Sequence, residues 1–265
     1  MAFWVAIVLG IIQGLTEFLP VSSSGHLVLF QKIFGIEVDC ILFDIVVHLG
    51  TLLAVVVVFR KSVWECIKNP FCEKAQKLVF ATLPTVIIAL LFKDFFKNSF
   101  DGSLLFVGFL VSAIFMFIAD YSAKNNYQYK NLSYGNSIVM GIFQGLAILP
   151  GISRSGSTIT SAMVQGVRRN ESTEFSFLMS IPAILGSLIF ELFDLGGASV
   201  GVSFLPLALG FVFSAISGYF AIKLMVKVVK KAKFRWFGVY LLLLALFTAL
   251  NKYVFMWFWY IYNKI

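Results

Sequence analysis

Long apolar runs, separated by short charged stretches, dominate the pattern of this chain. Six of these runs are continuous, and each matches the about 20 residues that a helix needs to cross about 30 Å of hydrocarbon. They predict six membrane-spanning helices at about 41–59, 78–96, 103–121, 173–193, 203–223 and 234–256. The fold class predicted is an all-α integral membrane protein, a polytopic helix bundle that forms one membrane domain over residues 1–265.

Two further apolar segments, 3–34 and 136–167, are interrupted in the middle by Pro, Gly and Ser. The interruptions read LPVSSSGH and ILPGISRSGST. In lipid, non-helical backbone is tolerated only where it packs on protein or lines a cavity, because an unpaired backbone group there costs several kcal/mol. Each segment is therefore predicted to form a re-entrant helix–loop–helix hairpin.

Composition agrees with a membrane protein and removes several other classes. The chain is 60% hydrophobic and 13% charged, whereas soluble domains carry about 25% charged residues. The net charge of +8 is interpreted as the Lys and Arg excess of cytoplasmic loops, so no nucleic-acid partner is expected. Cys40, Cys66 and Cys72 lack metal-site spacing and are expected to be small hydrophobic residues. The first residues lack the pattern of a removable signal peptide.

The distribution of Lys and Arg predicts an orientation. Fifteen of the 21 lie in 60–77, 122–135, 168–169 and 223–235, which are therefore expected inside, while 194–202 has none and is expected outside. With three spans in each half, the second half enters the membrane from the opposite side. Both termini are then expected outside, with the first hairpin opening outward and the second inward.

The two interrupted segments repeat each other at an offset of 131 residues. Residues 7–25 align without a gap on 138–156 with ten identities in nineteen positions, including shared Gly, Gln and Ser residues. Halves with odd numbers of spans predict an inverted-topology repeat, here 1–121 and 136–256. Such proteins build their site near the midplane, where the broken helices meet and their N-termini point at anionic groups.

The hairpins carry a Ser-x-Ser-Gly pattern that is typical of a helix start. Ser caps a helix, Gly permits a tight turn, and the following N–H groups lack intrahelical partners. Two such starts facing each other predict a phosphate or pyrophosphate site, with Arg154 able to bind phosphate through its planar fork. The alternative is that the pattern only kinks the helix and Arg154 snorkels to the surface. The candidate binding residues from the pattern are Ser22, Ser24, Gly25, Ser153, Ser155 and Gly156.

The first hairpin also contains an acid and a histidine that the second lacks. His26 is suited to proton transfer with a neighbouring serine hydroxyl, and Glu17 could hold a divalent cation or orient His26. The alternative is a structural Glu–His pair. Gln13 and Gln144, at equivalent repeat positions, either bind phosphate oxygens or only join the hairpins.

Asp44 and His48 share one face of the first full span because they are four residues apart. The favoured interpretation is an internal hydrogen-bonded pair that steadies the bundle. The alternative is a supporting role behind the site.

The stretches QGLTEFLPVSSSGHL (13–27) and PGISRSGST (150–158) resemble the two signature motifs of the bacitracin-resistance family of undecaprenyl-diphosphate phosphatases. The resemblance implies a multi-pass enzyme of the bacterial cytoplasmic (inner) membrane. Such an enzyme hydrolyses undecaprenyl diphosphate to undecaprenyl phosphate and inorganic phosphate, which recycles the lipid carrier for peptidoglycan synthesis and confers bacitracin resistance. It also implies a divalent cation, Mg²⁺ or Ca²⁺, and an active site open to the outer face.

By the same resemblance, Glu17 corresponds to the family's required glutamate, Ser23 to its candidate nucleophile and His26 to its histidine. Arg154 corresponds to the phosphate-binding arginine, which is flanked by Ser153, Ser155 and Thr158. Some members have a second glutamate where this chain has Gln13, so Glu17 is expected to be the more important acid and metal ligand. The expected partners are a polyprenyl diphosphate substrate and membrane lipid, and the sequence leaves open whether the protein is a monomer or a homodimer.

The mechanism expected from these residues is phosphoryl transfer. The pyrophosphate lies between the helix N-termini, Arg154 and the cation hold it, Ser23 attacks the terminal phosphorus and His26 takes or relays the proton. Attack by water or by His26 itself is left open. The second hypothesis is a secondary transporter or flippase for a polyprenyl phosphate or another anion. An ion channel is disfavoured because the chain shows no acidic ring or carbonyl-filter motif.

Overall fold

The computed structural model describes residues 1–36, 41–125, 130–195, 203–231 and 233–255. Over these residues the chain is almost entirely helical, and the only strand-like feature is an isolated bridge between Lys130 and Val167. The helices are α1 Phe3–Phe18, α2 Ser23–Ile33, α3 Ile41–Val58, α4 Arg60–Lys68, α5 Glu73–Leu91, α6 Lys93–Ser99, α7 Leu105–Asn125, α8 Tyr134–Leu146, α9 Arg154–Val164, α10 Arg169–Leu195, α11 Phe204–Lys230 and α12 Arg235–Leu250, followed by a π-helical turn at Asn251–Phe255.

The all-helical class and the six spans are confirmed. Six helices are long and apolar enough to cross a membrane, namely α3, α5, α7, α10, α11 and α12. Large apolar side chains cover much of their outer surface; on α5 alone Val79, Leu83, Ile87 and Leu90 are more than half exposed. A surface of this kind suits contact with lipid tails rather than water.

The boundaries of the second and fifth spans differ most from the predictions. The second span, predicted at 78–96, is the helix Glu73–Leu91, and a separate short helix begins at Lys93. The fifth, predicted to end at 223, continues to Lys230. Hydropathy marks where the apolar pattern begins and ends, whereas a helix continues through charged turns as long as its backbone hydrogen bonds are made.

The two interrupted segments each form a pair of short helices. α1 and α2 have 16 and 11 residues, and α8 and α9 have 13 and 11. None reaches the about 20 residues of a full crossing, so the interruptions at 19–22 and 147–153 do divide each segment as the sequence predicts. That each pair turns back within the membrane stays a prediction.

The 131-residue repeat is visible in the helices. The starts of α1 and α8, Phe3 and Tyr134, differ by this offset, and so do those of α2 and α9 and those of α5 and α11. α1 packs on α11, and α8, the repeat equivalent of α1, packs on α5, the equivalent of α11. The inversion of the halves across a membrane stays a prediction.

Glycines allow these equivalent helix pairs to pack backbone to backbone. A Cβ at Gly14 would lie 2.4 Å from the Ser214 carbonyl oxygen, and one at Gly141 would lie 2.0 Å from that of Ala81. Small residues at such positions let membrane helices approach closely enough for dense packing. This contact holds α1, and therefore the first hairpin, firmly against α11.

Gly141→Ala should destabilise the protein by about 1–3 kcal/mol, because its Cβ overlaps the α5 backbone and the two helices must separate. Gly186→Ala is the matched control, since a Cβ at Gly186 meets no atom within 4 Å and Ala favours a helix over Gly. The thermal unfolding midpoint in detergent measures both. Equal midpoints for the two variants would contradict the backbone contact.

The predicted inner loop 60–77 contains a helix, α4, and Cys66 lies on it. Burial and the neighbouring Cys72 thiol raise the pKa of Cys66 to about 11, so the thiol stays protonated near neutral pH. That the cysteines serve as small hydrophobic residues stays a prediction. Cys40 and most of the predicted outer loop 194–202 lie outside the described residues.

Candidate active site

The carboxylate of Glu17 joins the N-termini of two short helices. Glu17 lies in the last turn of α1 and is 7% exposed. The Ser23 hydroxyl, at the first residue of α2, donates to Oε2 at 2.5 Å, and Nη2 of Arg154, at the first residue of α9, donates to Oε1 at 2.5 Å. Ser23 and Arg154 occupy the same position of the repeat, so the structure brings both hairpins together at one acid.

The predicted serine caps are present in both hairpins. Oγ of Ser22 accepts from the backbone N–H of Gly25 at 3.3 Å, and Oγ of Ser153 accepts from that of Gly156 at 3.0 Å. Each capping serine also lies beside the second serine of its pattern. The Oγ atoms of Ser22 and Ser24 are 3.4 Å apart, and those of Ser153 and Ser155 are 3.3 Å apart. The hydroxyl groups therefore cluster around the two helix starts, as the sequence predicts.

A close contact between turns aligns these starts. A Cβ at Gly25 would lie 2.8 Å from Cα of Gly151, so the first turn of α2 approaches the turn that precedes α9. The Ser155 hydroxyl crosses between the hairpins and donates to the Leu19 carbonyl at 3.2 Å.

Arg154 is held inside the protein. Its side chain is 15% exposed and is paired with Glu17, and Nη1 donates to the Ser176 carbonyl at 3.3 Å. Thr158, a predicted binding residue, donates to the Arg154 carbonyl at 2.8 Å and lies 2.7 Å from the Ser176 hydroxyl. The snorkelling alternative does not describe this side chain, and Thr158 supports Arg154 from behind.

The turn before α2 adopts an unfavourable backbone conformation. Ser22 has φ 70°, the one positive φ at a non-glycine among the described residues, whereas its repeat partner Ser153 has φ −76°. Nδ1 of His26 lies 2.7 Å from the Ser22 carbonyl oxygen. Because a carbonyl only accepts, Nδ1 carries the proton and donates it to this hydrogen bond. The bond stabilises the unfavourable conformation at Ser22, and that conformation positions Ser23 beside Glu17.

The His26 ring therefore does not lie where its expected role in proton transfer from Ser23 would place it. Its second nitrogen, Nε2, lies 2.7 Å from the Tyr240 hydroxyl and accepts a hydrogen bond from it, since Nδ1 is the donor in the neutral ring. The group that accepts from Ser23 is Glu17. Sequence spacing put His26 one helical turn from Ser23, but its ring is directed to α12, where Tyr240 lies.

Tyr240→Phe should destabilise the protein by about 1–3 kcal/mol, because the buried Nε2 of His26 loses its donor. Tyr121→Phe is the control, because Tyr121 is 69% exposed. A melting midpoint that is unchanged in Tyr240→Phe would contradict this role of the hydroxyl.

The two repeat-related glutamines are separated by the structure. Gln13 is fully buried in α1 and its Nε2 donates to Glu17 Oε2 at 3.0 Å, so it reaches the site. Nε2 of Gln144 donates to Thr85 Oγ1 on α5 at 3.2 Å. The Gln144 side chain therefore contacts α5, the packing partner of α8, and its phosphate contact stays a prediction.

Asp44 and His48 form an internal hydrogen bond, as the favoured interpretation held, with the Asp44 backbone carbonyl as the acceptor. Nδ1 of His48 lies 2.7 Å from the backbone carbonyl oxygen of Asp44, and the Asp44 carboxylate accepts from Gln31 at 2.9 Å. Nε2 of His48 lies 3.9 Å from Glu17 Oε2. The imidazole thus borders the site, which matches the alternative interpretation.

Sequence reasoning missed three residues that shape the site. The Ser112 hydroxyl donates to the Gly151 carbonyl at 2.8 Å and accepts from the Ser153 N–H at 2.7 Å, which fixes the turn before α9. Ser176 and Tyr240 hold Arg154 and His26 as described above. Ser112 and Tyr240 are isolated polar residues in apolar spans, whereas Ser176 is one of several polar residues in its segment, and no local pattern distinguishes any of the three.

The residues around Glu17 suit a cation that binds together with phosphate. Among the described residues, no group of three or more His, Cys, Asp and Glu could hold a metal ion alone. Yet Oε1 of the buried Gln13 has no hydrogen-bond partner beside the Glu17 carboxylate. Mg²⁺ in proteins is commonly held by one or two carboxylates plus substrate phosphates and water, and this donor set is of that kind.

A membrane-spanning helix bundle, with two helix N-termini, an arginine and a serine–carboxylate pair at one buried point, defines a class of membrane protein that handles a phosphorylated group. Comparison with known families makes this specific. Residues 6–247 match the family described as Bacitracin resistance protein BacA, and the chain belongs to that family.

Curated relatives cover most of the chain. It is 42% identical over 243 residues to the undecaprenyl-diphosphatase of Carboxydothermus hydrogenoformans, which covers 90% of this chain and 93% of the relative. It is 41% identical to that of Halothermothrix orenii, over 91% and 94% of the two chains. It is 40% identical to undecaprenyl-diphosphatase 3 of Bacillus cereus, over 89% and 92%.

Proposed function

We infer that this protein hydrolyses undecaprenyl diphosphate to undecaprenyl phosphate and inorganic phosphate. Family membership and relatives with this named activity support the inference. The observation that carries it is Glu17, which contacts a serine hydroxyl through one oxygen and an arginine through the other. The reaction returns the lipid carrier to peptidoglycan synthesis, and bacitracin resistance is an attribute of the family.

Substrate binding begins with the positive ends of the two short helices. Free N–H groups at the starts of α2 and α9 and the Arg154 guanidinium offer donors to the diphosphate oxygens. In the structure the Arg154 guanidinium is paired with the Glu17 carboxylate. An incoming phosphate replaces Glu17 as the partner of Arg154, and the carboxylate is released. Ser24, Ser153 and Ser155 lie around the same two helix starts and can donate to the remaining oxygens.

The chemical step follows from the Ser23–Glu17 contact. Ser23 Oγ forms a bond to the terminal phosphorus while its proton passes to the Glu17 carboxylate, and the anhydride P–O bond breaks to release undecaprenyl phosphate. Water then attacks the phosphoserine, returns Ser23 to its hydroxyl form and releases inorganic phosphate. Direct attack by water activated by Glu17 is the alternative with the same overall balance.

Charge supports a divalent cation as part of the site. The Glu17 and Arg154 charges cancel, whereas a diphosphate brings at least two negative charges into a buried place. Glu17 and the Oε1 atom of Gln13 would hold the ion, and Mg²⁺ or Ca²⁺ would supply charge neutralisation of the phosphate oxygens. Arg154 and Ser23 keep their roles with the ion bound.

Transport of a polyprenyl phosphate is the second candidate function, and the repeat favours it. A binding site for transport requires Arg154 and the helix N-termini, but it does not require a carboxylate that accepts from the Ser23 hydroxyl. The test is phosphate release from a polyprenyl diphosphate by the purified protein in detergent, with and without EDTA. Release that EDTA abolishes and Mg²⁺ or Ca²⁺ restores is expected, while no release with any metal would favour transport.

The proposed orientation places both termini and the opening of the site on the outer face of the cytoplasmic membrane. Its support is the concentration of Lys and Arg in the loops assigned to the inside. Reporter fusions after residue 265 test it, and an inside C-terminus would overturn it. The site residues named above all come from one chain, so catalysis is proposed for the monomer, alone or within a homodimer.

A further inference from the structure

We propose that His48 is a direct ligand of the divalent cation, so that the site binds its metal through Glu17 Oε2 and His48 Nε2. The proposal rests on the cation-assisted function inferred above. It adds a nitrogen donor to a site otherwise built from oxygen, and it therefore changes which metal the protein prefers.

The hydrogen bond of His48 to the main chain prepares the ring for metal binding. Nδ1 lies 2.7 Å from the Asp44 carbonyl oxygen, and because a carbonyl only accepts, this nitrogen carries the proton. The lone pair of the neutral ring is then on Nε2, the atom nearest Glu17. Metal-bound histidines commonly donate their other N–H to a carbonyl or carboxylate in this way, which fixes the tautomer and the ring orientation.

The spacing of the two atoms suits an ion between them. Nε2 and Glu17 Oε2 are 3.9 Å apart, which is longer than an N–H···O hydrogen bond of about 2.7–3.2 Å. A cation about 2.0–2.2 Å from each ligand bridges such a gap with an open ligand angle or a small movement of either side chain.

An independent feature at the same place is the amide of Gln13. Its side chain is fully buried, Nε2 donates to the same Glu17 oxygen, and Oε1 has no partner. A buried acceptor left unpaired costs about 1–3 kcal/mol. An ion at Glu17 Oε2 would give this amide oxygen a partner and supply the third donor of the set.

Packing keeps the three donors together. Gly50, two residues after His48, lies against α11, where a Cβ would be 2.5 Å from the Phe211 carbonyl oxygen. Gly14, next to Gln13, lies against the same helix at Ser214. α11 thus holds α1 and α3 side by side, so the ligand separation cannot widen freely.

An imidazole donor predicts a preference among metals. Ca²⁺ and Mg²⁺ take oxygen ligands, whereas imidazole suits first-row transition ions. We therefore expect Mn²⁺ and Co²⁺ to bind more tightly than Ca²⁺, and His48→Gln to weaken Mn²⁺ binding by on the order of 10-fold or more with a smaller effect on Ca²⁺.

Pulsed electron paramagnetic resonance of bound Mn²⁺ tests the ligand directly. The chain contains two histidines, His26 and His48, so imidazole nitrogen modulation of the Mn²⁺ echo has two sources within it. The protein is purified with a histidine-free tag and studied with Mn²⁺, with and without methylenebisphosphonate as an uncleaved diphosphate probe. Modulation is expected in the wild type and in His26→Gln, and is expected to vanish in His48→Gln.

The outcomes separate this proposal from the proposed function. Bound Mn²⁺ without nitrogen modulation, modulation that survives in His48→Gln, or no Mn²⁺ binding under either condition would overturn His48 as a ligand. Phosphate release by the wild type, measured on the same preparation, tests the function independently. Glu17→Gln should abolish Mn²⁺ binding, and thermal unfolding of each variant shows that loss of signal is not loss of fold.

Discussion

Arg154→Ala should lower phosphate release from undecaprenyl diphosphate by about 10²–10³, which corresponds to about 2.7–4 kcal/mol of transition-state stabilisation. Arg154 is the cation that the structure holds against Glu17, at the first residue of α9. Without Arg154, the charge that develops on the phosphate oxygens is stabilised only by the helix N-termini and the proposed cation. The turnover number should fall more than the apparent affinity, because the interaction strengthens in the transition state.

Arg154→Lys separates charge from geometry. Lysine keeps the charge but loses the planar fork that contacts Glu17 and the Ser176 carbonyl, so recovery should be partial. Arg60→Ala is the control, since Arg60 is exposed at the start of α4. An Arg154→Ala protein with near-wild-type turnover would remove Arg154 from the phosphate site.

Sequence patterns predicted the parts of this protein that have local causes. Apolar runs gave the six spans, and the Ser-x-Ser-Gly pattern at an offset of 131 gave both interruptions and the two helix starts at Ser23 and Arg154. Recurrence of Gly, Gln and Ser at equal spacing is hard to obtain by chance in an apolar segment. For this reason the meeting of the hairpins could be expected before the structure showed their contact through Glu17.

The remaining features depend on how helices rotate and cross. Gln13 and Gln144 have nearly the same local sequence, yet one contacts Glu17 and the other Thr85, because α1 and α8 face different neighbours. The positions of the two histidine rings depend on helix packing for the same reason. The His26 ring contacts Tyr240, whereas the His48 ring borders Glu17. The positive φ of Ser22 is a further example, because serine is not a residue type that indicates this backbone conformation.

Glu17→Gln should have the largest effect of any single substitution, a loss of about 10²–10⁴ in turnover from removal of the base alone. The amide cannot accept the Ser23 proton, and the substitution also removes the carboxylate that pairs with Arg154 and that is proposed to bind the metal. Breaking a buried ion pair at one partner costs about 3–5 kcal/mol, so a lower unfolding midpoint is expected together with the lost activity.

Ser23→Ala and the double variant show whether acid and hydroxyl act as one unit. Ser23→Ala leaves the Glu17–Arg154 pair in place, so it should fold normally and lose activity. If Ser23 is the nucleophile that Glu17 activates, the double variant should be no slower than Glu17→Gln, because the effects of groups acting together are far from additive. Rapid acid quench should then trap a phosphoserine at Ser23 in the wild type. Multiplicative losses without a phosphoserine would instead assign the attack to water, with Glu17 as its base and Ser23 as a donor to phosphate.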